Sequence, residues 1–321
     1  MTEERKAMFT TDREAVRELI LDAARNIPAQ GRMRELVMYS LENPGKMIRS
    51  RIMLLLAGKY SPACRDELLC CAAAIEMIHT SSLILDDIID DAALRRGKPT
   101  VQAVYGKPIA LCGGDTLMVT GINLLLERGY PRRAAQTIDI IRNACSGEML
   151  QHTQKKETDV PEEAYFDALR GKTAYAFRGA CAMSAEITGR TEEQCGAAAR
   201  FGECIGTMFQ VRDDLMDWTV DEKRLGKPAN LDFAEGIYTL PAIFTFRKEG
   251  YGDRLRELAG KTVLSPEETE EARRIVRESG GIEYTKEVLR RFGREAAMLA
   301  ETLPGNDAED IRETVTALQE P

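Results

Sequence analysis

The chain has 321 residues, 44% of them apolar and 30% charged, with a net charge of −8 and a pI near 5.2. No Lys/Arg block stands out, so nucleic acid is excluded as a partner, because binding a phosphate backbone needs a basic surface. No secretory segment opens the chain and no apolar run approaches the roughly 20 residues that span a bilayer, so a soluble cytoplasmic protein without a transmembrane segment is expected.

Pro and Gly punctuate successive helical runs instead of forming a linker, at Asn43-Pro44-Gly45, Gly97-Lys98-Pro99, Gly106-Lys107-Pro108, Gly226-Lys227-Pro228 and Leu303-Pro304-Gly305. Between them Ala, Leu, Glu, Arg and Met dominate and strand-type alternation is scarce, which predicts an all-α single domain spanning 1–321. Long helices are predicted near 64–90, 107–128, 131–152, 163–187 and 191–219. In the first, Leu68, Ala72, Ile75, His79 and Ser82 trace one continuous stripe. Residues 250–321 show helical spacing and alternating charge without a motif, and only packing is assigned to them. The eight cysteines are scattered without a CxxC pair, which points to reduced core thiols and against a zinc site or disulfide framework.

Two copies of one carboxylate pattern, Asp86-Asp87-Ile88-Ile89-Asp90 and Asp213-Asp214-Leu215-Met216-Asp217, carry the chemistry. Residues three and four apart share a helix face, so each triplet is a crowded anionic cluster, destabilising by a few tenths of a kcal/mol per pair unless a cation offsets it. One such triplet reads equally well as a solvated helix face. Two copies, each preceded by apolar residues (Ser82-Leu83-Ile84-Leu85 and Met208-Phe209-Gln210-Val211), point to Mg²⁺ bound by Asp86, Asp87, Asp90, Asp213, Asp214 and Asp217. Such a cation completes its shell with substrate phosphates, so two clusters facing one another across a bundle could hold a diphosphate.

Cations decide what such a site accepts. Arg95 and Arg96 follow the first triplet, and further cations stand at Gly45-Lys46-Met47-Ile48-Arg49, Gly171-Lys172-Thr173-Ala174 and Leu225-Gly226-Lys227-Pro228. Singly, each reads as an ordinary surface cation or helix end. Lys46 and Arg49, three apart, are expected on one helical face as an anion clamp. His79, on an apolar stripe, reads as a structural core residue or as a ligand.

At these residues the chain resembles the trans-isoprenyl diphosphate synthases of the polyprenyl synthetase family, over about residues 40–245. The motifs carrying the likeness are DDIIDDAALRRGKPT, FQVRDDLMDW, PGKMIRSR, RGKTAYAF and LGKPANLDFAEGIYTLP, with EMIHTSSLILDD ahead of the first triplet. The resemblance implies a bundle of long helices around a central cavity. It implies a Mg²⁺-dependent head-to-tail condensation of isopentenyl diphosphate with an allylic diphosphate (dimethylallyl, geranyl or farnesyl) in a homodimer. The six aspartates would hold Mg²⁺ on the allylic diphosphate, with Arg95, Lys172 and Lys227 as counter-charges and Thr173 and Gln210 near the reaction centre. Lys46, Arg49, His79 and Arg96 would bind isopentenyl diphosphate without metal.

Ser81 and Ser82, just before Asp86, are small, so the product is expected to reach at least twenty carbons. HTSSLILDDIIDDAALRRG resembles the eukaryotic-type geranylgeranyl diphosphate synthases more than the usual long-chain ones, and Met118, Val119 and Cys145 are candidates for the floor of the prenyl channel. The chain departs from the family at Ile237 (usually lysine), Asn230 (glycine) and Ser50 (proline). Two alternatives are a class I terpene cyclase, which typically has an Asn/Ser/Glu motif in place of the second triplet, and a non-catalytic subunit of a heteromeric synthase, which would be expected to lose an Asp from one triplet.

Overall fold

The computed structural model describes residues 3–27, 32–42, 45–58, 60–95, 97–220, 230–303 and 308–319. In chain order these form helices α1 (Glu3–Arg25), α2 (Arg32–Leu41), α3 (Ile48–Ala57) and α4 (Pro62–Ile89), then a ribbon of β1 (Leu94–Arg95) and β2 (Lys98–Pro99). There follow α5 (Val101–Tyr105), α6 (Lys107–Glu127), α7 (Pro131–Thr153), α8 (Glu162–Leu169), a turn of π-helix at Arg170–Ala174, α9 (Tyr175–Ile187) and α10 (Glu192–Thr219). The remainder is α11 (Leu231–Ala234), α12 (Leu240–Phe246), α13 (Gly252–Ala259), α14 (Pro266–Glu278), α15 (Gly281–Glu301) and α16 (Ala308–Gln319). The expected all-α class holds, and the ribbon, Leu94 opposite Pro99 and Arg95 opposite Lys98, is the one strand pair among the described residues. Contacts within the chain divide it into two compact units. One is Met1–Ile141, Gly179–Ala199 and Thr302–Asp310; the other is Arg142–Arg178, Arg200–Glu301 and Ile311–Pro321.

In the first unit α4 begins with proline at its first position, where the missing N–H costs no helical bond. Every residue from Leu68 to Ile78 is buried, so the stripe read from the sequence widens here into a helix enclosed on all sides. Helix α6 meets it through small residues: a Cβ on Gly114 would lie 3.0 Å from Leu85 Cδ2, and one on Gly121 would lie 3.2 Å from the Ala74 carbonyl oxygen. The Ser81 hydroxyl donates to the Gly114 carbonyl at 2.8 Å and closes the same seam. By length and composition Pro62–Ile89 and Lys107–Glu127 could each cross a membrane, which corrects the expectation that no such run exists. Glu76 interrupts the first run in sequence without ending it. The apolar window of that helix is 72% buried inside the protein, as a core helix requires, and the window of the second is 39% buried.

The helix expected over 163–187 is present from Glu162 to Ile187 but widens at Arg170–Ala174, in the second unit. A Cβ on Gly147 of α7 would lie 2.1 Å from the Lys172 nitrogen, and one on Gly171 would lie 2.8 Å from the Asn143 carbonyl oxygen. Backbone therefore meets backbone at this crossing, which only glycine allows, and the chain widens there into the π-turn. Past α10, an aromatic row of Trp218, Phe233, Tyr238 and Phe246, with successive centroids 5.3, 5.5 and 5.0 Å apart, anchors α11 and α12. Helix α14 starts on a capping box in which Ser265 and Glu268 satisfy one another's backbone N–H. All eight cysteines are free thiols. Cys70, Cys71, Cys181 and Cys204 are buried as expected, whereas Cys112 and Cys145 are exposed.

Candidate active site

The first triplet occupies the last turn of α4, and its members differ in exposure. Asp86 is half-buried, Asp87 is 4% exposed and Asp90 is open to solvent. Arg95, turned back by the ribbon, donates Nε to Asp87 Oδ1 at 2.8 Å. Burial pushes the Asp87 carboxyl up, and the Arg95 guanidinium pulls it back. Gln102 fixes the turn after the triplet, donating Nε2 to the carbonyls of Asp87 at 2.5 Å and Ala92 at 2.8 Å. His79 is half-buried and shares with Asp87, Arg95 and Lys98 a cavity of about 90 Å³.

Arg49 is buried in the first turn of α3, where burial lowers the pKa of its guanidinium against the pull of Glu76 and Asp86. Lys46 is exposed and precedes the helix, which starts at Ile48 after Met47 in a left-handed conformation (φ 47°). The expected shared helical face of Lys46 and Arg49 is therefore corrected: a turn separates them. Arg96 and Lys227 lie outside the described residues, as do Asn43-Pro44, Gly226-Lys227-Pro228 and Pro304-Gly305.

The second triplet lies near the end of α10. Asp213 is exposed, whereas Asp214 and Asp217 are 5% and 1% exposed. Both oxygens of Asp214 are occupied: Oδ2 accepts from the Tyr165 hydroxyl at 2.6 Å and Oδ1 from Gln210 Nε2 at 2.9 Å. Thr173 in turn donates its hydroxyl to Gln210 Oε1 at 2.9 Å, so Thr173, Gln210 and Asp214 form one chain of hydrogen bonds. Desolvation, reinforced by the charge of Asp232, pushes the Asp214 carboxyl up to about 7 against those bonds. Lys172, aimed by the π-turn, pairs with Glu148 at 2.6 Å and donates to Gln151 Oε1 at 2.8 Å. A small cavity of about 20 Å³ is lined by Tyr165, Lys172, Thr173, Gln210, Asp214 and Ile237.

Among the described residues no three His, Cys, Asp or Glu side chains converge into a preformed metal-ligating group. Asp86, Asp90 and Asp213 nevertheless offer solvent-reachable carboxylates, the hard oxygen donors that Mg²⁺ takes while keeping several waters and substrate oxygens. The carboxylates of each triplet, taken by itself, are donors of the kind such an ion takes.

The chain-length candidates are dispersed. Ser81 is fully buried against α6, Ser82 and Met118 are half-buried, Val119 is 62% exposed and Cys145 is exposed on α7. Asn230 holds the left-handed φ of 56° that glycine usually supplies; asparagine tolerates it, and its side-chain oxygen accepts from Arg273. Tyr165, Glu148, Gln151, Gln102 and Glu76 were not singled out from the sequence. Only Glu76 left a signal, a carboxylate amid the apolar run Ala72-Ala73-Ala74-Ile75-Glu76-Met77-Ile78.

The family model described as Polyprenyl synthetase matches residues 30–276. Heptaprenyl diphosphate synthase component 2 of Geobacillus stearothermophilus is 31% identical over 309 residues, covering 95% of each chain. Geranylgeranyl diphosphate synthase of Methanosarcina mazei is 32% identical over 77% of this chain and 76% of its own. Among solved structures, geranylgeranyl pyrophosphate synthetase from Pyrococcus horikoshii superposes with a TM-score of 0.86 at 25% identity, covering 99% of both chains.

Proposed function

Since this chain belongs to the polyprenyl synthetase family and is a trans-prenyltransferase, we propose that it joins isopentenyl diphosphate head-to-tail to an allylic diphosphate (dimethylallyl, geranyl or farnesyl), as one domain spanning the chain. The observation that carries this reading is that each of the two carboxylate triplets keeps at least one reachable member beside a buried, hydrogen-bonded one. Asp86, Asp90 and Asp213 would hold Mg²⁺, which when bound stabilises the charge developing on the leaving diphosphate. Asp87, Asp214 and Asp217, the buried members of the triplets, would join them as ligands. Arg95, Lys172 and Lys227 add fixed positive charge, and the chain from Thr173 through Gln210 orients Asp214.

Lys46, Arg49, His79 and Arg96 would hold isopentenyl diphosphate by charge and hydrogen bonds alone. When the allylic carbon–oxygen bond breaks, the isopentenyl double bond attacks the cation and a proton leaves to the departing diphosphate. The protein's part is alignment and exclusion of water. No side chain has to act as nucleophile. Ser81 and Ser82 leave the first turns before Asp86 without a bulky barrier, so the product has twenty carbons or more, and of the floor candidates half-buried Met118 is retained while exposed Val119 and Cys145 are not.

The exposed Ile109, Leu111, Val119 and Leu126 make α6 the face for a homodimer. The Geobacillus relative is by its name a component of a synthase, so pairing with a different subunit is the second reading. Eight free thiols support the cytoplasm as the compartment.

The test is incubation of purified protein with Mg²⁺, labelled isopentenyl diphosphate and farnesyl diphosphate, followed by phosphatase treatment and chromatography of the prenyl alcohols. A labelled product that stops at one length supports the reading. A hydrocarbon released from farnesyl diphosphate without label overturns it in favour of a cyclase. Activity that appears only on adding a second, different subunit replaces the homodimer with a heteromer.

A further inference from the structure

Glu76 is the sole charged residue between Leu68 and Ile78, and it is 4% exposed. A carboxylate so enclosed is costly unless hydrogen-bonded, and its partners are informative. Oε1 accepts the backbone N–H of Ser50 at 2.8 Å, and the carboxylate also takes the backbone N–H of Arg49. Those two N–H groups belong to the first turn of α3, whose own N-cap position, Met47, supplies no side-chain bond. The first four N–H groups of any helix lack intrahelical partners. Here a side chain from α4 takes the place of the missing cap: burial raises the Glu76 carboxyl, the α3 N–H groups and the Arg49 charge oppose that rise, and its acceptor oxygens face the positive end of the α3 dipole.

The place of this cap gives it a use. The turn that it secures carries Arg49, Lys46 stands just ahead of that turn, and one turn onward on α4 stands His79. Glu76 therefore ties together the two segments that carry the isopentenyl diphosphate cations. We propose that Glu76 is a positioning residue for isopentenyl diphosphate: by capping α3 from α4 it holds Arg49 and the preceding Lys46 in fixed register with His79. The inference rests on the prenyl-transfer reading given above. Ser50 is the enabling departure, because the proline usual in the family has no N–H to donate. Proline is tolerated in a first helical turn, so Ser50→Pro removes both Ser50 donors, its backbone N–H and its hydroxyl, and leaves the carboxylate and the Arg49 N–H in place.

The experiment measures KM for each substrate separately, and kcat, in wild type, Glu76→Ala, Glu76→Gln, Ser50→Pro and the Glu76→Ala/Ser50→Pro double variant. Glu76→Ala is expected to raise KM for isopentenyl diphosphate about tenfold, with kcat and the allylic KM within about twofold. Glu76→Gln keeps an acceptor oxygen and should remain within about threefold of wild type. Ser50→Pro alone should raise the same KM about threefold, and Glu76→Ala should cost less in that background, since the Ser50 bonds it removes are already gone. Equal rises in both KM values, a glutamine as harmful as alanine, or strict additivity would overturn the proposal. If Glu76→Ala does not fold, the Ser50→Pro and Glu76→Gln values decide alone, an unchanged KM in Ser50→Pro counting against the cap. Amide exchange at Ser50 needs no substrate. Faster exchange in Glu76→Gln or Glu76→Ala than in wild type supports the cap, and unchanged exchange in every folded variant overturns it. A wild type that forms no labelled product overturns the functional reading instead.

Discussion

The two aspartate triplets have the same spacing and end their helices at similar points, yet the protein treats them differently. In the first, one member is buried and a guanidinium answers it, Arg95 on Asp87. In the second, two are buried and the answer to Asp214 is neutral, a phenol and an amide. Desolvation is the larger influence on both buried carboxyls and raises each; at Asp87 the Arg95 guanidinium opposes it by charge, whereas at Asp214 only neutral donors oppose it, Asp232 adds to it, and the carboxyl rises to about 7. Sequence spacing thus specifies where the acids are, and packing specifies how each one behaves.

That contrast can be broken most severely at its reachable members. Asp213→Ala is expected to lower kcat at least about 10³-fold, while an exposed residue in an anionic cluster leaves melting temperature unchanged or slightly raised. A loss of activity matched by unfolding in calorimetry would place Asp213 in the framework instead. Next comes Arg95→Ala, which strands Asp87. Chemical denaturation should show a loss of about 2 kcal/mol, below the range for a fully buried pair because the Arg95 side chain is 36% exposed. Tyr165→Phe removes one neutral donor while Gln210 remains, and should cost about 1 kcal/mol with little dependence on salt. A salt response as large as that of the Arg95 pair would erase the distinction between the regions. The smallest effect is sought at Ile237, half-buried beside Asp214 in the small cavity. Ile237→Lys should lower KM for the allylic substrate about threefold, and an unchanged or higher value argues against a cradle role.

The helices were legible because Pro and Gly mark their ends and because Ala, Leu, Glu and Arg favour them. The two triplets were legible because a period of three to four residues is written directly in sequence. What escaped was set by contacts between distant segments. No local pattern tells that Tyr165 reaches Asp214, or that Arg95 is turned back onto Asp87 by a two-residue strand pair. Lys46 and Arg49 were assigned one helical face from spacing alone, but Met47 adopts a left-handed conformation between them. Glu76 lay in plain view as a charge within an apolar run, and only its partners on α3 reveal its purpose.

The π-turn at Arg170–Ala174 also acts as a phase shifter. A π-turn accommodates one residue more than an α-turn, and in a helix of 3.6 residues per turn that offset rotates everything downstream by about 100°. Helix α8 turns Tyr165, Ala168 and Leu169 inward, and after the shift α9 does the same with Phe177, Ala180 and Cys181. Removing a single residue from this turn would make one uninterrupted helix and, in the same stroke, swing one of those two faces out into water.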